Sequence, residues 1–241
     1  MFKRKILSKL EAWKQDERHK PLILRGARQV GKTTVVNEFG SQFDNYLYFN
    51  LEMSESVRLF EMDIPLNDLV NMLFASLGKS QKEGSTLIFI DEIQNSPKTI
   101  ALLRYFYEQR PDLYVIAAGS LLENLVDVNV SFPVGRVMYL ALRPCSFYEF
   151  LGAIGKNNLL TILSQKAEYS IAFHEQLMHQ FNQYTIIGGM PEAVQHYAET
   201  QDIIAIEDVY ETLVQAYKDD SEKYARSNKL TDVVRFILSY G

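Results

Sequence analysis

The chain has 241 residues, with 25 Lys and Arg against 30 Asp and Glu, and its formal net charge of −5 sets up no global basic field for nucleic acid or an anionic membrane surface. A local patch for nucleic acid is not excluded by that balance. A single cysteine, Cys145, rules out an internal disulfide, paired C-x-x-C metal spacing is absent, and no apolar run approaches membrane-spanning length. These features fit a reducing, cytoplasmic setting with no membrane partner.

At the N-terminus, Met1-Phe2-Lys3-Arg4-Lys5 is basic, but Lys9, Glu11 and Lys14 interrupt what would be the apolar core of a signal peptide, so none is expected. Phe2, Ile6, Leu10 and Trp13 recur at helical spacing and predict an amphipathic helix to about Gln15 with a solvated basic face. Pro21-Leu22-Ile23-Leu24-Arg25 then reads as a short strand. It runs directly into Gly26-Ala27-Arg28-Gln29-Val30-Gly31-Lys32-Thr33, which fits the phosphate-loop pattern G-x-x-x-x-G-K-S/T with no mismatch. Thr34 to Phe39 can continue as a helix, the context this motif requires.

The residue types explain the chemistry. Gly26 and Gly31 let successive backbone N–H groups curl around a phosphate at the positive end of a helix. Lys32 places a compact positive charge on the β and γ phosphates, and the Thr33 hydroxyl is a ligand for the magnesium that bridges them. The expected nucleotide-binding set is Gly26, Ala27, Arg28, Gln29, Val30, Gly31, Lys32, Thr33 and Thr34.

Tyr46 to Leu51 reads as a second strand, aromatic and short enough to be central, followed by helices over about 54–60 and 67–77, the second capped by Asn67 and ended by Gly78. Thr86-Leu87-Ile88-Phe89-Ile90-Asp91-Glu92 is a continuous apolar run ending in two acids, hence a buried parallel strand with carboxylates at its C-terminal end. Asp91 is the expected magnesium carboxylate, through water or Thr33, and Glu92 the group that orients and deprotonates an attacking water. By itself such an acidic pair also reads as a capped strand end.

A helix over Pro97 to Gln109 and a buried strand over Leu113 to Ala118 come next. Ser120, just past that strand, is either a sensor of the γ-phosphate or the cap of a helix over 121–126. Val137 to Leu142 is the last strand expected, and Ser146 to Glu149 resembles a capping box. Beyond Leu151 the patterns are helical, over 174–184, 191–199, 203–217 and from Leu230 on, with Lys218 to Asn228 reading as a charged linker. The expected fold is α/β, a parallel sheet of about five strands flanked by helices, followed by a smaller helical domain. Residues 1–152 are assigned to the first domain and 153–241 to the second.

Leu24 to Thr33, Phe89 to Gln94, Ala117 to Glu123, Phe132 to Val137 and Gly188 to Ala193 together resemble the prokaryotic AAA-type ATP-binding proteins that join an ATPase module to a C-terminal domain of undefined function. The resemblance implies a P-loop core with a helical or winged-helix lid, and a requirement for ATP and magnesium. It matches Ser120 to a sensor, Arg136 to an arginine that completes the ATP site, and Gly189 with Pro191 to a lid turn beside the nucleotide. At Arg136 a structural salt bridge is the alternative. Members are usually longer, so a further C-terminal domain or a protein partner is expected, and a homo-oligomer is left open.

The function expected is magnesium-dependent ATP hydrolysis coupled to a conformational change or to a partner, with a slow-turnover switch on DNA or protein as the alternative. A GTPase lacks support because Asn228-Lys229-Leu230-Thr231 has no acid where guanine would be read. Asp91-Glu92-Ile93-Gln94 looks like a helicase box, but the chain has no room for a second motor domain.

Overall fold

The run Thr86–Asp91 has no polar position between its two ends, and as β3 it is buried at every residue with a helical layer against it. The structure, a computed structural model, describes residues 2–119, 133, 135–165 and 171–224. In chain order the first elements are α1 (Ile6–Gln15), β1 (Leu22–Arg25), α2 (Lys32–Gly40), β2 (Asn45–Asn50), α3 (Ser54–Phe60) and α4 (Leu66–Ser76). After β3 come α5 (Pro97–Gln109), β4 (Leu113–Gly119) and β5 (Met138–Ala141).

The strands form one five-stranded sheet in the order β2-β3-β4-β1-β5, every pair parallel. Parallel register brings all the C-terminal strand ends to one edge, with β1 and β3 separated there by β4 alone. Ile23, Leu47, Phe49, Ile88, Ile90 and Val115 of the sheet pack with Phe60, Leu69, Leu73, Ile100, Leu103 and Phe106 of the helices in one core. The fold class expected from the sequence is the fold observed.

Several local expectations are corrected. β2 is an edge strand rather than a central one, and its alternating burial, with Leu47 and Phe49 inside and Tyr46 and Tyr48 half-buried, is the pattern of a sheet margin. Asn67 lies within α4, which starts after Pro65 without a side-chain cap. Gly78 does end it: Gly78 has φ 61°, its N–H donates to Ala75 O, and the Lys79 N–H reaches back to Phe74 O, a Schellman arrangement. The helix expected over 121–126, and the one from Leu230 on, lie outside the described residues.

The described chain divides into two compact units. Arg4–Arg143 is one; the described residues from Pro144 onward, joined by the first residues of the chain, are the other. The division falls ahead of α6 (Phe147–Ala153), which the sequence reading groups with the sheet. α6 carries a complete Ser146 and Glu149 capping box, and its Phe150 packs with Ile187, Val194 and Tyr197. α7 (Asn157–Gln165), which the sequence reading misses, is followed by α8 (Ile171–Ile187), α9 (Pro191–Thr200) and α10 (Glu207–Tyr224). α10 thus runs through part of the stretch expected to be a linker.

Gly188 and Gly189 join α8 to α9. Gly188 has φ 73°, and a Cβ on Gly189 would lie 2.4 Å from the Cys145 carbonyl oxygen, whose own N–H donates to Gly189 O at 2.6 Å. Gly189→Ala must push two backbone segments apart and is expected to destabilise by about 1–3 kcal/mol. Gly152→Ala, inside α6 with its nearest new neighbour 3.5 Å away, is expected to stabilise by up to about 1 kcal/mol. Thermal midpoints of the two variants should therefore move in opposite directions.

Candidate functional site

The phosphate loop follows β1 without a break. A Cβ on Gly26 would sit 2.3 Å from the Leu142 backbone oxygen, and the Leu142 N–H donates to Arg25 O at 2.7 Å, so only glycine lets the chain after β5 close against the loop's start. Gly31 has φ 87° and Gln29 φ 58°, the two left-handed residues that curl the loop. Val30 is fully buried and anchors the loop from behind, while Ala27 and Gln29 are exposed.

Arg4 adds a support that the sequence reading missed. Rather than lying on a solvated basic face, it is buried and donates to Val30 O at 3.1 Å and to Arg143 O at 2.7 Å. No local pattern signals this, because Arg4 lies ahead of α1 and its partners stand 26 and 139 residues away.

α2 begins at Lys32 with neither a capping side chain nor an acid in its first turn. The first N–H groups of a helix lack intrahelical partners and carry its positive pole, so the first turn, Lys32, Thr33 and Thr34, offers donors suited to an anion. Lys32 is buried, and its ammonium donates to the carbonyls of Gly26 and Ala27, both at 2.8 Å, leaving the third N–H for a phosphate oxygen. Burial lowers the Lys32 pKa, opposed by the negative charges of Glu92 and Asp91.

Across β4, the end of β3 meets the start of α2. Thr33 Oγ1 donates to Asp91 Oδ2 at 2.6 Å, and the Glu92 N–H donates to Asp91 Oδ1 at 3.0 Å. Burial pushes the Asp91 carboxyl up from its ordinary range, with the Glu92 charge adding to that and the Thr33 hydrogen bond opposing it. Glu92 leaves the strand at φ 52° and ψ 44°, a left-handed conformation that costs a non-glycine residue on the order of 1 kcal/mol. Its carboxylate accepts from the Gln94 side-chain amide. Hydroxyl and carboxylate oxygens are the hard donors that magnesium takes. Among the described residues no cluster of three or more His, Cys, Asp or Glu could hold a metal by itself. A cation here would complete its shell with water and phosphate oxygens, so Thr33 and Asp91 fit magnesium.

Arg136 is elsewhere. It precedes β5 at the end where β1 begins, and the four residues of β1, about 3.3 Å each, separate that end from the loop by roughly 13 Å. Its guanidinium Nε donates to Glu108 at 2.7 Å, and Glu108 also takes Arg104 at 2.9 Å. Within one chain the Arg136 guanidinium thus lies on Glu108, at the end of β1 away from the loop. Ser120 lies outside the described residues. Pro191 belongs to the other unit, where it is the first residue of α9.

Residues 18–151 match an AAA domain family, and residues 178–241 match a domain of unknown function, DUF8612. No curated protein matches the chain. Among solved structures, C. elegans PCH-2 is 11% identical, with a TM-score of 0.45, covering 83% of this chain and 63% of its own. The Aeropyrum pernix ORC1 protein in complex with DNA is 16% identical, with a TM-score of 0.40, covering 67% of this chain and 48% of its own. The chain thus spans less than two thirds of either. With the phosphate loop, Asp91 and Glu92 all inside the matched span, the chain belongs to the AAA domain family of P-loop nucleotide-binding proteins.

Proposed function

We propose that the protein is a magnesium-dependent ATP hydrolase that couples its nucleotide state to a conformational change or to action on a partner. The observation that carries this reading is the Thr33 to Asp91 hydrogen bond, which sets the phosphate loop and an acidic strand end side by side in one unit. The loop N–H groups and Lys32 would hold the β and γ phosphates, and Thr33 and Asp91 would hold the magnesium, which would supply positive charge against the charge that develops on the phosphates. Glu92 takes a proton from water as the water oxygen bonds to the γ phosphorus. The bond from that phosphorus to the β–γ bridging oxygen breaks, leaving ADP and inorganic phosphate. The single buried cysteine supports a reducing, cytoplasmic setting, and among the described residues no helix is long and apolar enough to cross a membrane.

Lys32→Ala is expected to lose binding of a non-hydrolysable ATP analogue in isothermal titration, and wild-type affinity would remove the loop's assignment. Glu92→Gln is expected to keep that affinity and to release phosphate roughly 10²- to 10⁴-fold more slowly, since an amide cannot accept the proton.

Asp91→Asn should make analogue affinity independent of magnesium while raising the thermal midpoint of the ligand-free protein. The sign follows from the raised carboxyl: folding disfavours the charged form, so the penalty is present at neutral pH and disappears once wild-type Asp91 is protonated. The midpoint difference from wild type should therefore shrink as pH falls into the carboxylate range.

Arg136→Ala should leave analogue affinity unchanged. Turnover per chain in dilute solution should equal that of wild type, because in one chain Arg136 bonds Glu108 at the far end of the strands. A loss of dilute turnover with intact folding would contradict that placement.

A further inference from the structure

Glu92 has a flexible side chain, yet general-base catalysis needs its carboxylate within hydrogen-bond reach of one water. Its left-handed backbone fixes where the side chain starts but not where the carboxylate ends. The next residues form a 3-10 turn, Ile93–Asn95, closed by Asn95 N–H to Glu92 O at 3.0 Å and Ser96 N–H to Ile93 O at 3.1 Å. Ile93 and Ser96 on either side are fully buried, which makes the turn a fixed platform for Gln94.

From that platform the Gln94 amide nitrogen donates to Glu92 Oε2. Gln94 Oε1 is buried and accepts no hydrogen bond from the described residues. Turning the amide over would set its carbonyl oxygen against a carboxylate oxygen, two acceptors facing each other, so the observed orientation is the one the chemistry permits. Leaving a buried acceptor unpaired is unfavourable.

We propose that Gln94 is a positioning residue for hydrolysis, its amide holding one Glu92 carboxylate oxygen so that the other is presented to the attacking water. This rests on the ATP hydrolase reading above. Gln94 acts through Glu92 and need not touch the nucleotide, so its removal falls on kcat and leaves binding alone. It also accounts for Gln94 without the second motor domain that a helicase box would require.

The test is Gln94→Met, which keeps the length of the side chain and removes the donor, measured by steady-state phosphate release alone and combined with Glu92→Gln. Expected are a fall in kcat of about tenfold or more, an unchanged KM and analogue affinity, and no further fall when Gln94→Met is added to Glu92→Gln, because the two act as one unit. Unchanged or raised kcat in Gln94→Met would overturn the proposal, as would a loss that simply adds to that of Glu92→Gln. Wild-type turnover lost in Glu92→Gln but intact in Gln94→Met would overturn this proposal alone. A wild-type protein that binds ATP without hydrolysing it would overturn the hydrolase reading and this proposal together.

Discussion

The hydrogen bond from Thr33 Oγ1 to Asp91 Oδ2 joins the first turn of α2 to the last residue of β3, two points 58 residues apart in sequence with β4 between their strands. Its acceptor is a buried carboxylate whose charge folding disfavours, and the bond, together with the Glu92 N–H, offsets part of that penalty. The buried Lys32 ammonium is disfavoured by the same burial and is held by two loop carbonyls. Opposite charges kept out of water at one sheet edge cost stability in the ligand-free protein, and under the proposed function they preorganise the site for a polyphosphate and a divalent cation.

The backbone around this pair is held from several sides. Val30 fills the core beneath the loop, Arg4 bonds the loop from the N-terminal segment, and the chain after β5 closes on Gly26. Gln29, Gly31 and Glu92 all have positive φ. Two of these three are not glycine, and strain at such residues persists only where the surroundings over-determine it. The loop and the acidic turn thus take their shape from the fold around them.

The loop was legible in the sequence because its requirements are local. Gly26 is dictated by a 2.3 Å approach and Gly31 by a left-handed φ, and both are glycines at fixed spacing beside Lys32 and Thr33. Asp91 was legible because an unbroken apolar run stops at it. What depends on the order of strands was not. β2 carries residues that suit any strand, and only the order of strands in the folded sheet puts it at the edge. Arg136 sits close in sequence to a strand that ends near the loop, but it precedes that strand, and parallel pairing with β1 carries it to the opposite end of the sheet. The roles of Arg4 and Gln94 come from partners that become visible only once the turn and the loop are folded.

The most direct test of the account is phosphate release by the wild-type chain as magnesium is titrated against a fixed excess of ATP, with chelator as the zero point. The account predicts turnover that is absent in chelator and rises to saturation with magnesium, because Thr33 and Asp91 are the oxygen donors that would hold the cation against the phosphates. ATP that binds equally well with and without magnesium, and is not hydrolysed in either case, would contradict it.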